Sequence, residues 1–180
     1  MRLFIAVNFS EDIKNKLAAV MGEVKKYSTA GNFTLKDNLH LTVVFIGETA
    51  KPELVKQSLD KLIAPAFHLK LNGLGAFSRG SWEIVWIGVK KNETLLSIYE
   101  QLSSALTANG FAIEKRTYKP HLTLGREVVL KPGCIIEAVA GELGPLNITA
   151  EVNSISLMKS ERIAGKLVYT EIYSKNLIDL

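Results

Sequence analysis

Two of the three histidines in this chain open the same tripeptide, His40-Leu41-Thr42 and His121-Leu122-Thr123. With 24 Leu and 10 Thr among 180 residues, a chance double is on the order of one in several thousand, so the repeat is a signal. Each copy stands in a run that alternates like a β-strand. Residues i and i+2 of a strand share a face, so each motif sets an imidazole beside a hydroxyl while the intervening leucine turns to the core. Histidine takes and gives protons near neutral pH. In-line displacement at the phosphorus of a diester needs a base and an acid facing each other across it, and histidines on two facing strands meet that need. The Thr42 and Thr123 hydroxyls could donate to the non-bridging oxygens, where charge is held in the transition state. His68 alternates with lysine and asparagine on a solvent face and is left out of the site.

The elements that must position these groups are legible in outline. Arg2 to Phe9 reads as a strand, followed by a helix capped by Ser10 that carries Ile13, Leu17, Val20, Met21 and Val24. Phe33 to Lys36 is a short extended piece, Asp37-Asn38 a turn, and Leu39 to Ile46 the first motif strand. Pro52 suits the first turn of a second helix whose apolar positions run through Ile63 to Pro65. Phe67 to Leu71 and Trp82 to Val89 read as hairpin strands, with a bend or loop in the Gly73, Gly75 and Gly80 stretch between them. Asn92 caps a third helix that stops at Asn109-Gly110. Tyr118 to Leu124 is the second motif strand, and Leu130 to Gly141 a short irregular or helical segment. Asn147 to Met158 and Lys166 to Tyr173 complete the chain as two long strands joined by the turn Ser160 to Gly165. The motifs lie 81 residues apart, which suggests two similar β-rich lobes. No linker divides them, so residues 1–180 are expected to form a single bilobal domain.

Composition narrows the function class. Hydrophobic residues make up 47% and charged residues 22%, ordinary for a globular protein. The formal net charge of +4 is dispersed in pairs such as Lys25-Lys26, Lys90-Lys91 and Lys115-Arg116, which tolerates an anionic partner without specifying one. Cys134, the single cysteine, has no disulfide partner within the chain and reads as a partly buried structural thiol. The apolar run Leu3 to Val7 is too short for a secretory segment or membrane span, so a cytoplasmic protein with no membrane partner is expected. Each motif supplies one metal ligand, without a supporting histidine or carboxylate cluster. Phosphate-loop and dinucleotide fingerprints are also missing. We therefore expect no metal and no cofactor.

His40-Leu41-Thr42-Val43 and His121-Leu122-Thr123-Leu124 resemble the paired motifs of the two-histidine phosphoesterases. Their surroundings resemble the bacterial and archaeal RNA 2′,3′-cyclic phosphodiesterases, once called 2′-5′ RNA ligases. The resemblance extends through Arg2 to Val7, Asn38 to Glu48, Tyr118 to Arg126 and Leu157 to Ser160. Two departures are Phe33, where many members carry Trp, and Ala76 to Gly80, which lacks a proline-rich form. The resemblance implies an α+β, bilobal fold, with an antiparallel sheet and flanking helices in each lobe and a central cleft between the motifs. It assigns His40 as proton donor to the leaving ribose oxygen, His121 as the base that activates water, and Thr42 and Thr123 as phosphate contacts. Arg126 is a further candidate for phosphate charge, although strict alternation from His121 places it on the opposite face unless Gly125 breaks the pattern. Tyr118 reads as a packing residue. The implied activity is hydrolysis of RNA 2′,3′-cyclic phosphate ends to 2′-phosphomonoesters. The alternatives are 2′-5′-linked oligonucleotides, other cyclic nucleotides or a nucleotide-sugar cyclic phosphate as substrate, or a non-catalytic RNA-end-binding role. RNA ends or oligonucleotides are thus the expected partners, with no protein partner implied and a monomer expected.

Overall fold

Strand alternation and helix periodicity sort the chain into two antiparallel sheets. The computed structural model describes residues 1–114 and 117–178, so the Lys115-Arg116 pair lies outside the described residues. The first sheet has the order β3(His40–Glu48), β1(Arg2–Asn8), β8(Ser154–Ile163), β9(Lys166–Asn176). The second has the order β2(Ser28–Phe33), β6(His121–Leu130), β5(Trp82–Val89), β4(Phe67–Arg79), β7(Ile148–Val152). Helices α2(Pro52–Asp60) and α3(Glu93–Ala108) pack on the first sheet's side, and α1(Glu11–Lys26) and α4(Ile136–Leu143) beside the second. The antiparallel sheets and mixed helices match the expected class. The lobes are nevertheless interleaved in sequence, since the first half of the chain supplies strands to both sheets.

The helices form where capping and apolar spacing agree. Ser10 Oγ accepts from the Ile13 amide and Asn92 Oδ1 from the Leu95 amide, satisfying amides that a helix start leaves open. Acidic residues in the first turn and lysines in the last suit the dipole of α1. It buries Ile13, Leu17, Met21 and Val24, and α3 buries Leu95, Ile98, Leu102 and Leu106. These side chains meet Leu3, Ile5, Val7, Leu41, Val85, Ile87, Leu122 and Leu124 from the inner faces of both sheets in one continuous core. No helix among the described residues is long and apolar enough to cross a membrane. Cys134 is partly buried, as expected.

Several sequence-derived boundaries change. The early extended piece is β2, ending at Phe33, because Lys36–Asn38 closes into a single 3-10 turn. Helix α2 stops at Asp60, leaving Ile63 exposed beyond it. The strand expected over Asn147 to Met158 is divided at Asn153: β7 pairs with β4 in one sheet, β8 with β1 in the other. The β8–β9 turn is only Ala164-Gly165, both at positive φ, as a two-residue turn with the hairpin's own twist requires. The glycine-rich stretch continues β4 as strand through a bulge after Leu71. Here glycine makes room: a Cβ on Gly75 would lie 2.2 Å from the Trp86 ring, and one on Gly88 3.3 Å from it. Trp86 can lie flat across the second sheet only because these neighbours lack side chains.

Gly75→Ala should therefore destabilise by about 1–3 kcal/mol, the cost of overpacking a closed site. Gly22→Ala in α1, where the added methyl meets nothing within 4 Å, should stabilise by up to about 1 kcal/mol through helix propensity. Urea denaturation of both variants checks the pair; an unaffected Gly75→Ala midpoint would show that Trp86 does not need the gap.

Candidate active site

Each repeated tripeptide opens a strand, β3 at the edge of the first sheet and β6 inside the second. His40 and Thr42 open β3 and His121 and Thr123 open β6, while Leu41 and Leu122 between them are fully buried. This is the expected division of faces, and β3 packs against β6 where the lobes meet. Tyr118 ties the two segments together, donating its hydroxyl to the Thr42 carbonyl at 2.9 Å and stacking on Tyr99 at 4.3 Å. Packing is thus its role in the structure, as expected.

Both imidazoles are held in the same way. Nδ1 of His40 lies 2.7 Å from the Asn38 carbonyl, and Nδ1 of His121 lies 2.8 Å from the Lys119 carbonyl. A carbonyl only accepts, so each Nδ1 carries hydrogen and each Nε2 is left as the nitrogen that exchanges protons. Nε2 of His40 stands 2.9 Å from Thr42 Oγ1, and in the neutral ring it accepts from that hydroxyl. Each ring also rests among aromatics. Phe4 and Tyr169 flank His40 at 4.8 and 5.1 Å, and Phe77 and Trp86 flank His121 at 5.2 and 6.2 Å.

Burial pushes His40 below the ordinary histidine range. The Arg126 and Lys14 charges act in the same direction, opposed by the hydrogen bond to the Asn38 carbonyl. Burial likewise raises the Tyr169 phenol against the pull of Arg126 and Arg2. Arg126 is therefore electrostatically coupled to the His40 bed. It reaches that side because β6 bulges: Leu124 and Gly125 are both buried in succession, and Arg126 emerges exposed. A Cβ on Gly125 would lie 2.9 Å from Val128 and 3.0 Å from Phe33, so the glycine is what allows the pattern to break there. Glu127, next in the bulge, takes a positive φ of 52°, and its carboxylate accepts from the Asn32 side-chain Nδ2.

Sequence reasoning did not identify Asn38 as a functional residue. Its buried carboxamide donates to the Leu167 carbonyl at 2.8 Å and accepts from the Tyr169 amide at 3.2 Å. Both groups lie on the outer edge of β9. The side chain thus acts as an extra ladder rung, holding in place the backbone carbonyl that orients His40. Phe4, Tyr169, Phe77 and Trp86 were also missed, since only tertiary structure brings them to the histidines. The signal available was the Asn-x-His spacing ahead of the first motif. His68 is exposed on β4, as expected.

The fold has solved counterparts: the crystal structure of Escherichia coli LigT in apo form superposes with a TM-score of 0.79 at 25% identity, covering 98% of this chain and 96% of that one. A family model described as the 2′-5′ RNA ligase superfamily matches residues 11–164. The chain belongs to the 2′-5′ RNA ligase superfamily. Among curated relatives, the RNA 2′,3′-cyclic phosphodiesterase of Methanocaldococcus jannaschii is 36% identical over 128 residues, which cover 70% of this chain and 71% of the relative. The protein of that name from Thermotoga maritima is 30% identical over 131 residues, 70% of each chain.

The His40 environment yields a titration with a definite sign. Its folded-state pKa lies below the ordinary value of 6.5, so between the two values the unfolded chain binds the proton and the folded one does not. The His40 contribution to stability is complete above about pH 6.5 and falls as pH drops toward the folded pKa. Proton NMR should show the His40 ring titrating below 6.5 and moving upward on addition of inorganic phosphate. Asn38→Ala should remove about 1–3 kcal/mol through the β9 groups it leaves unpaired, and should broaden or shift the His40 resonance. An unaltered ring titration in that variant would show that the carbonyl needs no such support.

Proposed function

We propose that this chain hydrolyses RNA 2′,3′-cyclic phosphate ends to 2′-phosphomonoesters by metal-independent acid–base catalysis with His40 and His121. The observation that carries the reading is the matched seating of the two rings, each with Nδ1 fixed on the carbonyl two residues earlier, which makes Nε2 the nitrogen that would exchange protons. A cyclic phosphate held between them needs a proton taken from water on one side and a proton given to the leaving oxygen on the other. In this reading His121 accepts the water proton as oxygen attacks phosphorus. His40 protonates O3′ as the P–O3′ bond breaks, and the phosphate stays on O2′. Exchange with solvent then restores both rings.

Thr42, Thr123 and Arg126 hold the non-bridging oxygens, where a guanidinium and two hydroxyls offset the developing charge. Thr42 must turn from Nε2 to phosphate as His40 becomes protonated. Substrate itself favours that state, since an anion beside the imidazole opposes the desolvation that keeps it neutral. Among the described residues no three His, Cys, Asp or Glu side chains are grouped to hold a metal ion. The relatives named RNA 2′,3′-cyclic phosphodiesterase and the LigT crystal form with 3′-AMP supply the substrate class.

The deciding experiment is turnover of a defined RNA ending in a 2′,3′-cyclic phosphate, followed by digestion and separation of 2′- and 3′-monophosphates. A predominantly 2′-phosphate product is expected, with activity surviving EDTA. His40→Ala and His121→Ala should each lose ~10²–10⁴ in rate while folded. The kcat/KM profile should be bell-shaped, since His40 must be protonated and His121 neutral, with one limb reporting the His40 ring, whose pKa in the free protein lies below 6.5. In kcat that limb should move upward. A 3′-phosphate product would overturn the assigned roles, and tight binding without turnover would leave an RNA-end-binding protein.

A further inference from the structure

The β8–β9 hairpin is longer than the sheet that supports it. β1 begins at Arg2, paired with Ser160, so residues 161–168 project past the sheet as a two-stranded arm. Cross-strand pairs Met158 with Glu171, Ser160 with Tyr169 and Arg162 with Leu167 alternate onto one face. That is the face on which Tyr169 meets the His40 ring, so the arm carries the floor of the site outward from His40. Opposite the arm stand β2 and the β6 bulge.

Between them runs a groove of about 570 Å³, whose near end is Asn38, Tyr169 and Arg126, and whose far end holds Arg162 and Lys166. Its walls include Phe33, Leu35 and Leu167, the last two 51% and 37% exposed. Three cations face one carboxylate, Glu127, which Asn32 already engages. Arg162 donates to the Gly165 carbonyl at 3.1 Å, which ties it to the tight turn. Stacking surface alternating with positive charge is what a single nucleic-acid strand requires.

We propose that this groove is a subsite for the penultimate nucleotide, the one 5′ of the residue that carries the cyclic phosphate, with Arg162 and Lys166 meeting the first internucleotide phosphate and the apolar walls meeting the penultimate base. The inference rests on the proposed reaction at His40 and His121 and narrows its substrate to oligonucleotide ends. A cyclic phosphate closes the 3′ end of a strand, so all further nucleotides leave in the 5′ direction, and the groove that opens from His40 along the hairpin arm offers them cations. A mononucleoside cyclic phosphate leaves it empty.

The test compares kcat/KM for a mononucleoside 2′,3′-cyclic phosphate, the dinucleotide with the same 3′ residue, and that dinucleotide with a neutral methylphosphonate linkage. The dinucleotide should be preferred by about tenfold or more, the scale of a hydrogen-bonded charge contact. Both the methylphosphonate linkage and the Arg162→Gln/Lys166→Gln variant should bring the ratio toward one. The variant should also flatten the salt dependence of the dinucleotide reaction. An equal rate on mono- and dinucleotide, or a preference that survives the double substitution, would overturn the subsite. If no cyclic phosphate turns over, the proposed reaction fails. Salt-dependent binding of a trinucleotide 3′-phosphate, wild type against the double variant, then decides the groove separately: weaker binding by the variant supports it and equal binding removes it.

Discussion

Each histidine of the cleft depends on one hydrogen bond, from its Nδ1 to the backbone carbonyl two residues before it. That bond chooses the tautomer, sets the ring plane and decides which nitrogen faces a substrate. It also makes the orientation of a side chain a property of the backbone, so the site is only as rigid as the segment that presents the carbonyl. On the His40 side that segment is a short 3-10 turn, inherently weakly held, and the Asn38 carboxamide locks it to β9. On the His121 side the segment is Lys119-Pro120, where proline restricts the chain just before the strand.

The two rings share one kind of surroundings. Aromatic rings flank both, which excludes water and strengthens any electrostatic interaction within. His40 lies within the fields of Arg126 and Lys14, which act with burial to keep its pKa below the ordinary histidine value. In the proposed reaction, an anionic phosphate held there would offset the cations that disfavour a proton on His40. The bulge in β6 is therefore more than an irregularity, since without it Arg126 would stay in phase with Leu124 and Val128, which point into the core.

Interleaving of the lobes follows from the same requirement that two strands face each other. β1 and β3 lie in one sheet and β2 and β6 in the other, and the chain crosses again at Asn153 between β7 and β8. The common core beneath the sheets joins them, so the distance across the cleft is set by close-packed leucine, isoleucine and valine side chains that compress little. Trp86, flat over Gly75 and Gly88, shows the same logic on the cleft face, where missing side chains shape the floor next to His121.

What the sequence determined by itself were the features that repeat at short range. The motif pair, the buried leucines inside it, the caps at Ser10 and Asn92, the stop at Asn109-Gly110 and the β4–β5 hairpin all follow from periods of two or 3.6 residues and from local hydrogen bonding. Tertiary structure alone decided where phase is lost or partners are remote. Strand bulges reset alternation at Gly125, a single residue at Asn153 sends one apparent strand into two sheets, and a glycine-rich stretch that reads as a loop becomes strand because a tryptophan from its neighbour fills the space. Asn38 shows the limit most sharply: locally it is a turn residue, and its importance lies in two backbone groups 129 and 131 positions away, a distance over which no local pattern carries information.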